Sequence, residues 1–141
     1  QRHRGIVSDL LLRLLRRDFH ARATGLGLTP ALARLLFNVH RHPGSRPSEL
    51  AALLDVTPVT LGRMLDRLAR RGYVRCGPDP SDRRAQCVQL APRAAPIIER
   101  MTAIGVLTTA RATRGFSARE RAQLLALLGR LQANLGRDAA A

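Results

Sequence analysis

The sequence predicts a mainly α-helical fold that carries one small β-hairpin. Three observations lead there. Apolar residues recur at helical spacing along most of the chain, Thr-Pro and Gly signals start and stop those stretches, and one segment near residues 73–90 alternates instead. A length of 141 residues is one ordinary domain with a single buried core. Aromatic residues make up only 3%, so that core has to be built from Leu, Val, Ile and Ala, which suits packed helices.

Helix 1 is expected over about Ile6 to Arg22, with Ile6, Leu10, Leu14 and Leu15 on one face, ending near Gly25–Gly27. Thr29-Pro30 starts helix 2, Thr as N-cap and Pro at the first helical position. Leu32, Leu35, Leu36 and Val39 form its buried stripe, and His42-Pro43-Gly44 ends it. Helix 3 opens at Pro47 with Glu49 in its first turn, where a carboxylate opposes the helix dipole, and turns Leu50, Ala51 and Leu54 inward. After the turn Asp55-Val56-Thr57, a second Thr-Pro pair starts helix 4, which runs from Pro58 to Arg71 and stops at Gly72.

Two short strands follow, about Tyr73–Cys76 and Ala85–Leu90, joined by the loop Gly-Pro-Asp-Pro-Ser-Asp. Pro92 is expected to start helix 5, which reaches roughly Arg114 before Gly115 breaks the chain. Ser117 and Glu120 have capping-box spacing for helix 6, whose Leu124, Leu128, Leu131 and Leu135 form an apolar stripe. The sequence contains no internal repeat, and no low-complexity segment beyond the Ala-rich tail at 139–141.

On a helical wheel, helix 4 separates into two faces. Leu61, Met64, Leu65 and Leu68 fall on the buried side, while Val59, Arg63, Asp66 and Arg70 fall opposite, flanked by Thr60, Gly62 and Arg67. The early exposed positions are short apart from Arg63, a shape that enters a DNA major groove about 12 Å wide. In that reading Arg63 pairs with a guanine edge, Val59 and the Thr60 methyl meet a thymine methyl, and Thr57 at the helix start helps bind phosphate through the terminal amides. Arg67 and Arg70 suit backbone contacts that position the helix. An ordinary amphipathic helix with a solvated basic face would look the same.

The hairpin favours the DNA reading. Its tip, Asp79-Pro80-Ser81-Asp82-Arg83-Arg84, cannot join a core, and Arg83-Arg84 at the end of a two-stranded ribbon can reach a narrow minor groove of high negative potential. Asp82 is expected to hold an arginine or a turn amide in place. Charge agrees: 24 basic against 10 acidic residues give +14, and every basic residue is Arg. Compositional bias accounts for the missing Lys, and the charge is spread along the chain, so it does not localise an interface.

These residues resemble the MarR/SlyA family of bacterial regulators. The likeness rests on Leu28-Thr29-Pro30, Leu50-Ala51, Arg63-Met64-Leu65-Asp66-Arg67-Leu68, Gly72-Tyr73-Val74, and Asp82-Arg83-Arg84 followed by Leu90, and it extends over nearly the whole chain. It implies a winged helix-turn-helix with a helical dimerisation region: about 29–91 for DNA binding, about 1–24 and 92–138 for dimerisation. It further implies a homodimer on a pseudo-palindromic operator, with helix 4 (58–71) in the major groove and the wing at 79–85 placing Arg84 in the minor groove. Members of the family are often released by small aromatic or anionic effectors. Three positions depart from the family pattern. Cys76 stands where an arginine usually anchors the wing, Arg46 stands where helix 3 usually has a Ser or Thr cap, and Leu90-Ala91-Pro92-Arg93-Ala94 replaces Leu-Thr-x-x-Gly.

Cys76 and Cys87 lie on neighbouring strands, but alternation puts Val74 and Cys76 on one face and turns Cys87 outward with Gln89, against a disulfide. Oxidation-sensing relatives carry a reactive Cys in helix 1, and none stands there. Of the histidines His3, His20, His40 and His42, the last two point to different helix faces, a poor metal pair. His20 or His40 can instead line an effector pocket near helices 1 and 2, and ordinary exposed or core histidines explain them equally well. Neither a catalytic constellation nor a cofactor motif is present, and stacking platforms for single strands need aromatics this chain lacks. Apolar residues on helices 1 and 6 would leave a large exposed patch on a monomer, which a twofold partner would cover. No apolar run approaches the roughly 18 residues that span a bilayer, no secretory leader is visible, and two cysteines suit a reducing compartment, so a cytoplasmic protein is expected. A dimeric repressor fits best; a sequence-indifferent architectural DNA-binding protein is the alternative.

Overall fold

The computed structural model describes the backbone of residues 2–138 and the side chains of residues 9–136. Among these residues the order is α1 (Arg2–Arg22), α2 (Pro30–Arg41), α3 (Pro47–Leu54), α4 (Pro58–Arg70), β1 (Val74–Asp79), β2 (Asp82–Leu90), α5 (Ala95–Ala112) and α6 (Ala118–Asp138). The fold is therefore mainly helical with one antiparallel hairpin. The side chains of His3 and Ile6 lie outside the described residues. The chain divides into two compact units, 1–106 and 107–141.

In the first unit, α2 and α4 each begin where a threonine satisfies a free amide. The Thr29 hydroxyl accepts the Leu32 N–H at 3.3 Å, with Pro30 in the first helical position. Thr57 caps α4 in the same way. Helix α3 has Arg46 at the N-cap position, and its side chain makes no capping bond. Tight left-handed residues then stop the helices: Asp55 after α3 (φ 53°) and Gly72 after α4 (φ 76°). Arg71 donates to the Gly27 carbonyl, and Arg100 of α5 donates to the Gly25 carbonyl at 3.2 Å, so two guanidiniums fasten the turn between α1 and α2.

The core forms where these helices turn their apolar stripes toward one another. Leu35, Leu36 and Val39 of α2, Leu50 of α3, Leu61 and Leu68 of α4, Val88 of β2 and Met101 of α5 are fully buried. Burying one such side chain stabilises the fold by about 1.5–3 kcal/mol. Helix α1 contributes Phe19 to this core, while Leu10, Leu11, Leu12 and Leu14 stay about half exposed.

Strands β1 and β2 extend further toward the tip than the sequence pattern suggests. Pro78 remains within β1, and only Pro80 and Ser81 form the turn, because Asp79 and Asp82 pair across it. A third segment, absent from the sequence-based expectation, joins the ribbon's inner end. Gly44 N–H donates to the Val88 carbonyl at 3.1 Å, and Val88 N–H donates to the Ser45 carbonyl at 2.8 Å. Beyond β2, residues 92–94 form a single 3₁₀ turn before α5 begins at Ala95, later than the Pro92 start expected. Ala91 offers no capping side chain, so the chain first closes a shorter ring, Ala94 N–H to the Ala91 carbonyl at 3.0 Å.

The second unit contains the end of α5, the turn at Gly115 (φ 83°) and α6. The capping box is reciprocal: Glu120 N–H donates to Ser117 Oγ at 3.1 Å, and Ser117 N–H donates to Glu120 Oε2 at 2.8 Å. Along α6, Leu124 is half-buried, and Leu125, Leu127, Leu128, Leu131 and Leu135 are exposed.

Replacing Leu36 with Ala is expected to destabilise the protein by about 2–5 kcal/mol in urea unfolding, whereas Leu53→Ala, on the solvent side of α3, changes it by no more than about 0.5 kcal/mol.

Candidate nucleic-acid interface

Helices α3 and α4 are joined by three residues whose geometry fixes how α4 is presented. Asp55 turns the chain through the left-handed region, and the half-buried Val56 packs against the core. Thr57 Oγ1 accepts the Thr60 N–H at 3.2 Å and donates its own proton to Thr60 Oγ1 at 2.9 Å. The Thr57 side chain is thus committed to the cap. Among the described residues, no acceptor serves the Val59 N–H, which leaves that amide open at the positive end of the helix.

Leu61, Leu65 and Leu68 are buried and Met64 is half-buried against the core, so the opposite face must meet solvent. Val59 is 65% exposed, and Thr60, Gly62, Arg63, Asp66, Arg67 and Arg70 are exposed with it. A Cβ built on Gly62 would meet nothing within 4 Å, so this part of the helix surface stays low and open. Among the described residues, Arg63, Arg67, Arg70, Arg83 and Arg84 have no ion-pair or hydrogen-bond partner for their guanidiniums.

The wing brings two arginines out by irregularity, not by simple pairing. The ladder register jumps from Pro78↔Gln86 to Asp79↔Asp82, so Arg83, Arg84 and Ala85 stand opposite no residue of β1 and bulge from the ribbon. Two Asp side chains shape this bulge. Asp79 Oδ1 accepts both the Ser81 N–H at 2.9 Å and the Ser81 hydroxyl at 2.7 Å. Asp82 Oδ1 accepts the Arg84 N–H at 3.0 Å. The Ser81 bonds, then Arg46, hold the Asp79 carboxyl below the usual carboxylate range. Arg46 Nε reaches Asp79 Oδ2 at 3.4 Å, a link that sequence reading missed. Its signal was the arginine standing in place of a helix cap.

The cysteines reverse the expected orientation: Cys87 is buried and Cys76 is exposed. The register pairs Cys87 with Gly77, and the Cys87 sulfur lies 3.5 Å from the neighbouring Pro78 carbonyl. Neither forms a disulfide. Partial burial, then the Asp66 carboxylate and Cys87, push the Cys76 thiol above its ordinary value. Helix α4 packs against β1.

His20 lies in an open cleft of about 540 Å³ between α1 and α2, with Arg13, Arg16, Arg17, Arg34, Pro30 and Ala31. Its ring meets Phe19 edge-on at 6.0 Å. His40 packs near Phe37 at 5.9 Å and does not line the cleft. Among the described residues, no three metal-ligating side chains gather. No described helix is long and apolar enough to cross a membrane.

A helix pair joined by a short turn, a capped second helix facing solvent and a braced hairpin define a winged helix-turn-helix protein. The sequence pattern of the MarR family matches residues 26–85. The transcriptional regulator PA3341 is 31% identical, with 94% of this chain and 98% of that one covered at a TM-score of 0.80. A crystal structure of MarR is 28% identical over 97% and 92% of the two chains, with a TM-score of 0.81. A cysteine-to-serine mutant of MarR from E. coli, complexed with operator DNA, is 29% identical over 90% and 91%, with a TM-score of 0.70. The chain belongs to the MarR family of transcriptional regulators.

Because the Asp66 charge disfavours the Cys76 thiolate, Asp66→Asn is expected to speed alkylation of Cys76 at neutral pH. In the unaltered protein the rate keeps climbing above the ordinary thiol range. Stopped-flow thiol titration across pH reads both; an unchanged rate in Asp66→Asn would remove the assigned cause.

Proposed function

We propose that this regulator is a dimeric repressor that binds a pseudo-palindromic operator. The observation that carries the reading is a set of exposed arginines without protein partners on α4 and on the wing of the same unit. Helix 58–71 enters the major groove, where Arg63 reads a guanine edge and Val59 and Thr60 meet thymine methyls. The Val59 amide beside Thr57 takes a phosphate, and Arg67 and Arg70 grip the backbone. The wing at 79–85 lies over the minor groove with Arg84 inserted, Arg83 on its rim and Asp82 holding the Arg84 backbone. In this scheme residues 29–91 form the DNA-binding part, and 1–24 and 92–138 the dimerisation part.

Apolar side chains exposed on α1 and along α6 support the dimer, since a monomer with such patches would associate. Two subunits carry +28, twice the +14 of one chain, and twofold symmetry matches paired half-sites. Bound across a promoter, the dimer blocks polymerase. The α1–α2 cleft supports release by a small anionic effector, aromatic or not. Four arginines and His20 are among its lining residues, and no acidic residue is. Such a ligand acts by favouring a dimer whose reading heads are wrongly spaced.

Selection of duplexes from a random pool is expected to return an inverted repeat, bound at least about a thousandfold more tightly than random duplex at physiological salt. Arg63→Ala then lowers affinity for the selected site by about tenfold or more with little change on random duplex, and Arg84→Ala weakens both. Equal losses on both duplexes for Arg63→Ala, or no preference at all, leave an architectural DNA-binding protein instead. In sedimentation equilibrium the chain is expected to run as a dimer, and Leu131→Glu on α6 to shift it to monomer.

A further inference from the structure

We infer that Arg46 and Asp79 together are positioning residues that hold the wing at its working angle, in place of the arginine anchor whose position Cys76 occupies. This rests on the reading of the wing as a DNA-contacting element. The ribbon is secured at its inner end, where Val88 exchanges backbone hydrogen bonds with Gly44 and Ser45. Val88 pairs with Cys76, and Asp79 lies three residues further out on β1, about 10 Å along the strand. A two-stranded ribbon of that length is free to twist and swing unless its outer part is tied to the body.

Arg46 supplies the tie. It follows Ser45 directly and stands at the N-cap of α3, but its side chain makes no capping bond. Instead Nε lies 3.4 Å from Asp79 Oδ2, spanning 33 residues of sequence. The other Asp79 oxygen is already taken by the Ser81 N–H and hydroxyl, which fix the turn. One carboxylate therefore joins the shape of the tip to the start of α3. Since Asp82 in turn fixes the Arg84 amide, the chain of contacts runs from α3 to the arginine in the minor groove.

The competing account makes Arg46 a direct phosphate contact, and charge separates the two. Asp79→Asn keeps an oxygen acceptor for Ser81 but removes a negative charge, so by simple electrostatics it should tighten binding to DNA. A positioning role predicts the opposite. Affinity for the selected operator is measured for the unaltered chain and for Arg46→Gln, Asp79→Asn and Arg84→Ala, singly and with each of the first two combined with Arg84→Ala. Thermal unfolding confirms that each variant is folded. Arg46→Gln and Asp79→Asn are each expected to weaken binding by about threefold to fivefold, as suits a partly exposed ion pair, and to add nothing once Arg84 is Ala. Tighter or unchanged binding by Asp79→Asn, or a loss from Arg46→Gln that persists in full beside Arg84→Ala, overturns the positioning role while leaving the wing reading intact. No loss from Arg84→Ala itself removes the wing reading, and the positioning role with it.

Discussion

The structure depends on how α4 buries one side. Leu61, Leu65 and Leu68 lie against the stripe of α2 and against Leu50 and Leu54 of α3, with Val88 of the ribbon in the same core. Once those three leucines are inside, a pitch of about 3.6 residues per turn leaves Val59, Arg63, Asp66 and Arg70 no place but the surface. The exposed face is thus a consequence of the core. Rotating α4 to hide Arg63 would draw leucines into water at about 1.5–3 kcal/mol each and bury a charge without a partner. The start of the helix is fixed just as firmly, because Thr57 and Asp55 set both its first amides and the angle at which the chain arrives.

Most of this was legible in the sequence wherever the signal was local. Thr29-Pro30 and Thr57-Pro58 start helices at those residues, Ser117 and Glu120 exchange the two bonds their spacing suggests, and Gly72 ends α4. The wing was less legible because its geometry is set by contacts between distant residues. Alternation predicted an outward Cys87, yet the residue is buried and its sulfur meets the Pro78 carbonyl, next to its register partner Gly77. Nor does a one-residue bridge such as Ser45 to Val88 leave a pattern, since it asks for backbone, not side chains. The Asp79-x-Ser81 and Asp82-x-Arg84 spacings do carry a readable turn signal, in which an Asp accepts the amide two residues on.

Acidic residues in this basic surface are few, and several have a defined structural task. Asp79 and Asp82 bind backbone amides of the wing, Glu120 closes the α6 cap, and Asp18 pairs with Arg22 at 2.9 Å. At the hairpin tip, Asp79 and Asp82 commit an oxygen each to the ribbon's own amides, so the shape of the tip is set by the chain itself. Asp79 is also met by Arg46, so both of its carboxylate oxygens have partners. The guanidiniums of Arg83 and Arg84 face solvent without any such partner among the described residues.

The cleft between α1 and α2 presents the reverse situation. Arg13, Arg16, Arg17 and Arg34 face one open volume with no carboxylate among the lining residues. Like charges held near each other raise the free energy of the arrangement that gathers them, by an amount that water and salt reduce but do not remove. In the proposed release, an anion bound among these arginines would relieve that repulsion and so favour the arrangement that gathers them. Pro30 and Ala31, at the start of α2, line the same cleft, and α2 carries the leucine stripe against which α4 is packed. In that proposal, a shift of α2 would reach α4 through close-packed side chains, with no need for a charged relay between the cleft and the exposed face of α4.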